Sequence, residues 1–229
     1  MAALERGIRG ADVPRETRVT PETPTRWYAD VLVSVGILPT EARVERLRRY
    51  ERWLVDEAQR AGGIGPSEHE RVADRHVADA LMFLHGISQN AVELADVGSG
   101  VGLPGIPLAI ARPDLSVTLV DRSQRRTHLA SRAVRILGLD NVTVLTQDAS
   151  ALREPRFDVV AFRAAFPPGE AAEVFLQCAG PSGVGLLAMS RSSKRPDAVP
   201  APEGVTFTLT SEGTEVLDSP FWLLRMQRS

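Results

Sequence analysis

Glu93-Leu-Ala-Asp-Val-Gly-Ser-Gly-Val-Gly-Leu-Pro-Gly105 is the stretch of sequence that decides the fold. It opens inside an apolar run, Val92 to Val97, which predicts a short buried strand, and continues with glycines at alternate positions. Pro104 stands where a helix is expected to begin, because the fixed φ of proline suits the first helical turn. A second apolar run, Leu115 to Val120, leads directly into Asp121. A strand, a glycine loop, a helix start and a second strand that ends at a carboxylate predict a nucleotide site.

The spacing of the glycines distinguishes between nucleotide ligands. The dinucleotide fingerprint, counted from Gly98, requires a third glycine where this chain has Leu103. The Walker pattern requires a lysine after its last glycine, and the only lysine in the chain is Lys194. An acid followed by alternate glycines, with a later acid after the second strand, is typical of S-adenosylmethionine sites. A turn without a ligand would not need three glycines, since each costs chain entropy. The pattern therefore predicts S-adenosylmethionine as the cofactor.

Composition limits the possible settings of this site. The chain has 229 residues, 43% of them hydrophobic and 24% charged, which leaves room for one sizeable domain and an appendage. A single cysteine, Cys178, excludes an internal disulfide, and we expect a cytoplasmic protein. We expect no membrane association, because no apolar run is long enough to span a bilayer and no signal peptide is evident. With a net charge of −2, any nucleic acid would have to meet a local basic patch.

The chain divides into three predicted parts. Residues 1–25 are polar and proline-rich and are expected to form a flexible arm. Residues 26–90 are expected to form an N-terminal helical extension, and residues 91–229 the S-adenosylmethionine-dependent domain. The helices expected in the extension cover residues 27–37, residues 40–61 and a segment that Ser67 opens.

Strands alternate with helices in the third part, and the last two strands have no room for a helix between them. These two, 205–209 and 221–226, should pair as an antiparallel hairpin. Ser123 is expected to cap a helix that ends at Gly138. The other predicted strands are 92–97, 115–120, 142–146, 157–162 and 185–190. The predicted fold is α/β, a doubly wound, seven-stranded, Rossmann-like class I methyltransferase sheet with a terminal antiparallel hairpin.

The glycine loop and its continuation closely resemble one family on the residues Asp96-Val-Gly-Ser-Gly-Val-Gly-Leu-Pro-Gly-Ile-Pro-Leu-Ala-Ile-Ala-Arg-Pro-Asp114. This is the glucose-inhibited division protein B family of small-subunit rRNA guanine-N7 methyltransferases. Arg75-His76-Val-Ala-Asp79 is similar to its Arg-His-x-x-Asp box, and residues 157–164 look like its segment after strand four. The resemblance covers roughly residues 45–190. It implies S-adenosylmethionine-dependent methylation of guanine N7 in 16S ribosomal RNA, with rRNA or the small ribosomal subunit as partner.

Several family positions differ in this chain. Gly62-Gly63-Ile64-Gly65-Pro66 replaces the family's Asn-Leu-Thr, and Gln147-Asp148-Ala149-Ser150 replaces its Gly-Arg-Ala-Glu. Met189-Ser190-Arg191 replaces its lysine-glycine after strand five. These differences leave two alternatives open. One is a divergent paralogue that methylates a small molecule, and the other is a non-catalytic protein that binds the cofactor.

The predicted cofactor contacts lie in the loop and at the strand ends. The alternate glycines are expected to pass under the methionine and ribose, and Asp96 to hold the loop or reach the methionine ammonium. Asp121 is expected to bind the ribose hydroxyls, with a helix-capping role beside Ser123 as the alternative. Asp148 with Ala149 should meet the adenine edge, because a carboxylate can accept from the exocyclic amine. The full predicted set is Asp96, Gly98, Ser99, Gly100, Gly102, Leu103, Pro104, Asp121, Arg122, Asp148, Ala149 and Arg163.

Three residues are predicted on the acceptor side as catalytic: Arg163, His76 and Asp79. Methyl transfer is an in-line displacement that depends on alignment, and guanine N7 has a free lone pair that needs no general base. Arg163, at the carboxyl end of strand four, could hold guanine O6 or a phosphate bidentately, and a plain salt bridge is the alternative. His76 and Asp79, three residues apart, could instead be a structural pair. Cys178 lies in the middle of a helix, where a core thiol is expected rather than a nucleophile.

Two basic clusters are candidates for RNA contacts. One lies on the helix after strand two, and the other stands beside a proline-rich loop. Few aromatic residues lie between these charges, which favours a folded RNA surface over a single strand. A solvated helix face is the alternative for the first cluster. The residues are Arg122, Arg125, Arg126, Arg132 and Arg135 in the first, and Arg191, Lys194 and Arg195 in the second. We expect a monomer that uses no metal.

Overall fold

The structure is a computed structural model that describes residues 23–65, 70–152 and 156–229, with side chains from residue 27 onward. Most of the predicted arm, residues 1–22, lies outside the described residues. Ser67, the predicted start of the third helix, lies outside them as well. The first helix begins at Thr23, inside the segment predicted as the arm.

Two helices open the described chain, α1 (Thr23–Ser34) and α2 (Glu41–Trp53), and α2 continues into the π-helical segment Leu54–Ala58. Thr40 caps α2, since its hydroxyl oxygen accepts from the backbone N–H of Arg43 at 3.3 Å. The side of α2 that faces the protein interior is apolar and is buried against the rest of the fold. Its buried residues are Val44, Leu47, Tyr50 and Trp53.

A second helical stretch, residues 72–86, changes its hydrogen-bonding pattern twice. It starts as the π-helical segment Val72–Ala78, continues as α3 (Asp79–Leu81) and ends as the 3₁₀ turn Met82–Gly86. Most of its apolar side chains are buried, so it packs as a core element rather than as a surface helix.

Within the described ranges the sheet has seven strands, in the order β3-β2-β1-β4-β5-β7-β6. The first five run parallel, and β7 is antiparallel to both β5 and β6. The bounds are β1 Glu93–Val97, β2 Ser116–Asp121, β3 Val142–Thr146, β4 Phe157–Arg163, β5 Ala179–Arg191, β6 Val205–Glu212 and β7 Phe221–Arg228. The predicted fold class and its terminal hairpin are confirmed. Because the strand order reverses between β1 and β4, a ligand crevice is expected at their carboxyl ends.

Helices cover both faces of the sheet. One apolar cluster joins the N-terminal helices, α4 (Gly105–Ala111) and α5 (Gln124–Leu137) to one face. A second cluster packs α6 (Pro168–Cys178) on the other face. Gly138 ends α5 in the left-handed conformation, with φ of 62°, as the sequence predicts. None of the helices in the described ranges combines the length and the apolar composition that a membrane span requires.

One strand departs from its predicted bounds. β5 begins at Ala179, directly after α6, whereas the sequence predicts a start at residue 185. The intervening residues pair early with β4, where Phe157 faces Ala179, and a register shift follows before Val159. Residues 192–204 form neither helix nor strand, as expected from their prolines.

Candidate cofactor and acceptor site

A cavity of about 340 Å³ opens at the carboxyl ends of β1, β2 and β4. It lies at the point where the strand order reverses, and its size is in the range of small-molecule pockets, roughly 300–1,000 Å³. Its walls come from the segments that follow four strands and from the first turn of α6. The lining residues are Val97, Gly98, Val120, Asp121, Arg122, Arg126, Gln147, Asp148, Ala149, Ala164, Ala165, Phe166 and Glu170.

Five of the predicted cofactor residues lie in this wall: Gly98, Asp121, Arg122, Asp148 and Ala149. They come from three separate strand ends, which the parallel sheet brings to one edge. Ser99 and residues 102–104 belong to the same loop but are buried. None of them is among the described residues that line the cavity. Their predicted contact with the cofactor would therefore be through the shape of the loop.

The alternate glycines all have left-handed backbones, with φ of 77° at Gly98, 58° at Gly100 and 101° at Gly102. A Cβ at Gly98 would collide with Ala165, and one at Gly102 would collide with Ile106. A Cβ at Gly100 would meet no described atom within 4 Å. Close packing thus explains two of the glycines, whereas Gly100 faces open space beside the candidate site.

Asp121 holds the glycine loop to the start of α5. Its Oδ2 accepts from the Gly100 N–H at 3.0 Å, and its Oδ1 accepts from the Ser123 N–H at 2.8 Å. Ser123 occupies the N-cap position as predicted, but its own side chain forms no capping hydrogen bond. The capping alternative for Asp121 is therefore real, yet a carboxylate has further lone pairs with which to accept from a diol.

Asp96 is fully buried below the loop. Its Oδ2 accepts from the Gly105 N–H at 2.7 Å, while its Oδ1 has no hydrogen-bond partner among the described residues. Burial raises the pKa of Asp96 to about 7. The hydroxyl of Ser99 is likewise buried and has no partner in the described part of the chain. Buried polar atoms are normally paired, so these two fit a site that takes a polar ligand with donors.

Asp148 lies at the rim of the cavity, at the N-cap of the short turn Ala149–Ala151. Its Oδ1 accepts from the Ser150 hydroxyl at 2.7 Å and from the Ser150 N–H at 3.0 Å. These hydrogen bonds lower the pKa of Asp148, so its carboxylate is charged at neutral pH. A charged acceptor at this place suits the predicted contact with an exocyclic amine.

The segment after β4 is part of the wall that the sequence reasoning missed. Ala164 has a left-handed backbone with φ of 53°, which a residue with a Cβ rarely adopts and which often marks functional sites. Phe166 packs edge-on against Phe162, with ring centroids 5.7 Å apart. The signal available was positional, because β4 ends at the same sheet edge as the glycine loop. Gln147 and Glu170 were also missed, whereas Arg126 was predicted as an RNA contact and not as part of this wall.

The predicted catalytic residues do not line the described cavity wall, but the structure places both His76 and Asp79 near Arg163. Arg163 Nη2 donates to the Arg75 carbonyl at 2.6 Å and lies 3.1 Å from His76 Nδ1. Asp79 accepts from Arg191 Nη1 at 2.9 Å, and Arg163 is near enough to act on its charge. Burial raises the pKa of Asp79 to about 6 despite the neighbouring arginines. The roles of all three residues stay predictions.

The first basic cluster lies on the surface of α5 and the turn before it. All five of its arginines are exposed. Arg132 pairs with Glu57 at 2.7 Å, and Arg126 lies 3.5 Å from Asp121. Arg125 and Arg135 form no ion pair with any described residue. This face can therefore present positive charge to a partner.

The predicted second cluster is wrong in one member. The Arg191 side chain is 3% exposed and is surrounded by aspartates, so it cannot face RNA. Lys194 and Arg195 are exposed, as expected. Cys178 is buried, its thiol donates to the Val174 carbonyl, and burial raises its pKa to about 12. The core-thiol interpretation is confirmed, although Cys178 is the last residue of α6 and does not lie in the middle of a helix.

Comparison with known proteins adds a family to this geometry. The sequence model of the GidB family, described as rRNA small subunit methyltransferase G, matches residues 43–203. A ribosomal RNA small subunit methyltransferase G from Nocardioides sp. is 38% identical over 183 residues, which is 80% of this chain and 68% of the relative. The protein of that name from Pseudarthrobacter chlorophenolicus is 35% identical over 190 residues, 80% of this chain and 88% of its own.

A solved structure of an MtNAS mutant in complex with S-adenosylmethionine shares the fold. The TM-score is 0.54 at 14% identity, with 91% of this chain and 77% of that chain covered. At this identity the likeness concerns the fold alone.

Proposed function

The chain belongs to the rRNA small subunit methyltransferase G family, and we propose that it methylates guanine N7 in 16S ribosomal RNA with S-adenosylmethionine as cofactor. The observation that carries this proposal is the cavity beside the glycine loop, because it gathers the predicted cofactor residues from three strand ends. Residues 91–229 would form the methyltransferase domain and residues 26–90 its helical extension.

The residues of the loop and cavity fit the cofactor. Bound there, S-adenosylmethionine supplies an electrophilic methyl group on a sulfonium. Asp121 would accept from the ribose hydroxyls and Asp148 from the adenine amine, while the orphaned Asp96 Oδ1 would accept from the methionine ammonium. Gly100, whose α-carbon faces open space, would let the chain approach the cofactor closely.

On the acceptor side, Arg163 would orient the base from the carboxyl end of β4, with His76 beside its guanidinium. Guanine O6 is an acceptor that arginine recognises, and a guanidinium can donate to O6 or to a phosphate without occupying the N7 lone pair. N7 brings its own lone pair, so these residues need only align the base. No metal is required for such a transfer, and we propose a monomer without one.

The α5 face is the proposed contact for the RNA backbone. Its arginines are exposed, and the helix starts at the cavity wall, where Arg122 and Arg126 belong to both. A phosphate chain bound along α5 would therefore pass close to the cofactor. With a ribosomal substrate, the protein would act in the cytoplasm.

The test is methyl transfer to small ribosomal subunits, or their naked RNA, from cells that lack this gene. We expect label from S-adenosylmethionine to enter 16S RNA at a single guanine N7, found by cleavage specific for that modification. The Cys178→Ala variant should remain active, because the thiol is a core group and not a nucleophile.

Two outcomes would contradict the proposal. Cofactor binding without label in any ribosomal substrate, but with label in a small-molecule extract, would support a small-molecule methyltransferase. Cofactor binding without transfer to either would support the non-catalytic alternative.

A further inference from the structure

Arg191, the last residue of β5, has a nearly buried guanidinium surrounded by three carboxylates. Nη1 lies 2.6 Å from Asp74 Oδ1 and donates to Asp79 Oδ1 at 2.9 Å. Nη2 donates to Asp218 Oδ1 at 2.9 Å, and Nε donates to the same oxygen at 3.1 Å. These aspartates come from the π-helical segment, from α3 and from the β6–β7 connection. A single side chain thus joins β5 to three other parts of the fold.

The contacts of Arg191 bracket a short piece of backbone. Besides the carboxylates, Nη1 donates to the Asp74 carbonyl at 3.0 Å. Asp74 and Asp79 stand on either side of Arg75 and His76 in the chain. Arg75 is itself tied to the same network, since its Nη2 donates to Asp218 Oδ2 at 2.9 Å. Arg191 therefore fixes the segment 74–79 at both of its ends, through Asp74 and Asp79.

The bracketed piece is the part that Arg163 binds. Arg163 Nη2 donates to the Arg75 carbonyl at 2.6 Å and lies next to the His76 ring. β4 and β5 are neighbours in the sheet, and Arg163 is in register with Ala188, close to the end of β5. Two arginines from adjacent strand ends therefore bind the same π-helical segment. Of the two, only Arg163 is next to a residue of the cavity wall, Ala164.

On the basis of the methyltransferase function above, we propose that Arg191 is a positioning residue for the Arg163–His76 pair. It acts through residues 74–79 and touches neither cofactor nor RNA. An arginine suits this task, because its five N–H donors can serve several acceptors at once and a lysine ammonium has only three. This gives a role to the arginine that stands where the resembled family has lysine-glycine.

The test compares Arg191→Met and Arg191→Lys with the wild-type chain. We expect kcat/KM for the small-subunit RNA to fall roughly tenfold or more in Arg191→Met, while the Kd of S-adenosylmethionine changes by less than about twofold. Arg191→Lys keeps the charge among the aspartates and should recover part of the loss. It also serves if the methionine variant does not fold.

Arg112→Lys is the matched control. Arg112 is 11% exposed, binds Asp114 and several backbone carbonyls, and lies at the opposite edge of the sheet. Its substitution should lower the melting temperature without changing the kinetic constants for RNA. If both lysine variants lowered stability and activity in the same proportion, Arg191 would be a structural residue only.

A double-mutant cycle with Arg163 tests the route of the effect. If Arg191 acts through Arg163, the Arg163→Met/Arg191→Met chain should be no slower than Arg163→Met alone. Multiplied losses would overturn the proposal. An NMR measurement of the His76 ring gives a readout that needs no activity: its signals should shift in Arg191→Met and not in Arg112→Lys. A chain with no rRNA activity but with this shift would refute the proposed function and keep the positioning role.

Discussion

Asp96 is the residue whose chemistry depends most on its surroundings. Full burial raises the pKa of its carboxyl from 3.8 to about 7, although the Gly105 N–H and Arg163 both lower it. Near neutral pH the free protein therefore holds a mixture of charged and neutral Asp96. A cationic ligand beside the orphaned Oδ1 would favour the charged form and would release a proton on binding.

This predicts a pH-dependent affinity for S-adenosylmethionine. Between pH 5.5 and 7, where the ligand amine stays protonated, the association constant should rise by up to roughly tenfold per pH unit. Asp96→Asn should bind more weakly and show a flat profile, measured by calorimetry at each pH. Asp148→Asn is the control, since the pKa of Asp148 is lowered and its carboxyl does not titrate in this range. A wild-type affinity that stays constant across this range would show that Asp96 does not face the ammonium.

The same raised pKa affects the free energy of unfolding of the free protein. Asp96 contributes most to the free energy of unfolding at pH values below the pKa that it has in the unfolded chain. This contribution is lost as pH rises from 3.8 through about 7. Asp79, whose pKa is raised to about 6, acts in the same direction over the lower part of that range. Both effects come from burying a carboxyl group that water would otherwise solvate.

The site residues that belong to one short motif could be predicted from the sequence. Asp96, the alternate glycines and Asp121 are defined by spacing along the chain, and the structure gathers Gly98 and Asp121 at one cavity. Phe166 and the buried state of Arg191 escaped because they depend on contacts distant in sequence. From the sequence alone, Arg191 is expected to be a surface charge next to Lys194. The structure shows instead that it pairs with Asp79 and Asp218.

At the scale of elements, two glycines of the loop differ in why a side chain would not be tolerated. Gly98 is required by the packing of Ala165, whereas a Cβ at Gly100 would meet no described atom within 4 Å. Gly138, which ends α5, offers the comparison. It has nearly the same φ, 62° against 58°, and its Cβ would also meet no described atom within 4 Å.

We therefore predict different outcomes for Gly100→Ala and Gly138→Ala. Both should lose stability by a similar amount, on the order of 1 kcal/mol, from the left-handed backbone. Only Gly100→Ala should lower the affinity for S-adenosylmethionine, by roughly tenfold or more, because its methyl group would occupy the space of the ligand. Thermal unfolding and calorimetry on the two variants check this. Equal affinities would place the cofactor away from Gly100.

The elements themselves were largely predictable, because strands and helices differ in their apolar spacing. The start of β5 was not, since Gly180-Pro-Ser-Gly183 has the composition of a turn and is drawn into the sheet by pairing with β4. The π-helical segments were not predictable either. Their apolar positions differ little from those of an α-helix, and the contacts that select the wider turn are tertiary.

For the whole molecule, a small negative net charge hides an uneven distribution. The α5 helix carries no acidic residue, and its arginines are exposed. A protein that binds RNA along this face should show an affinity that falls with salt, because phosphate contacts release counterions.

We predict that Arg125→Gln and Arg135→Gln each reduce the slope of log affinity against log salt, by roughly 0.7–0.9 for each lost phosphate contact. Binding to small-subunit RNA, measured over a series of salt concentrations, gives this slope. Arg156→Gln is the control, because Arg156 is exposed over the Phe157 ring and belongs to the segment before β4, not to α5. An equal change in all three variants would mean that the RNA does not follow α5.

The apolar cluster on the first face of the sheet has a consequence for how the chain is made. It joins Tyr28 and Leu47, near the start of the described chain, to Leu223 in β7, and the Phe83 and Phe221 rings lie 5.8 Å apart. The helices leave the ribosome long before the strand that completes their core. During synthesis the apolar surface of these helices therefore stays exposed until β7 is made. Chaperones protect nascent chains during such periods. A protein proposed to modify ribosomes thus depends on the ribosome finishing β7 before its own first helices can be fully buried.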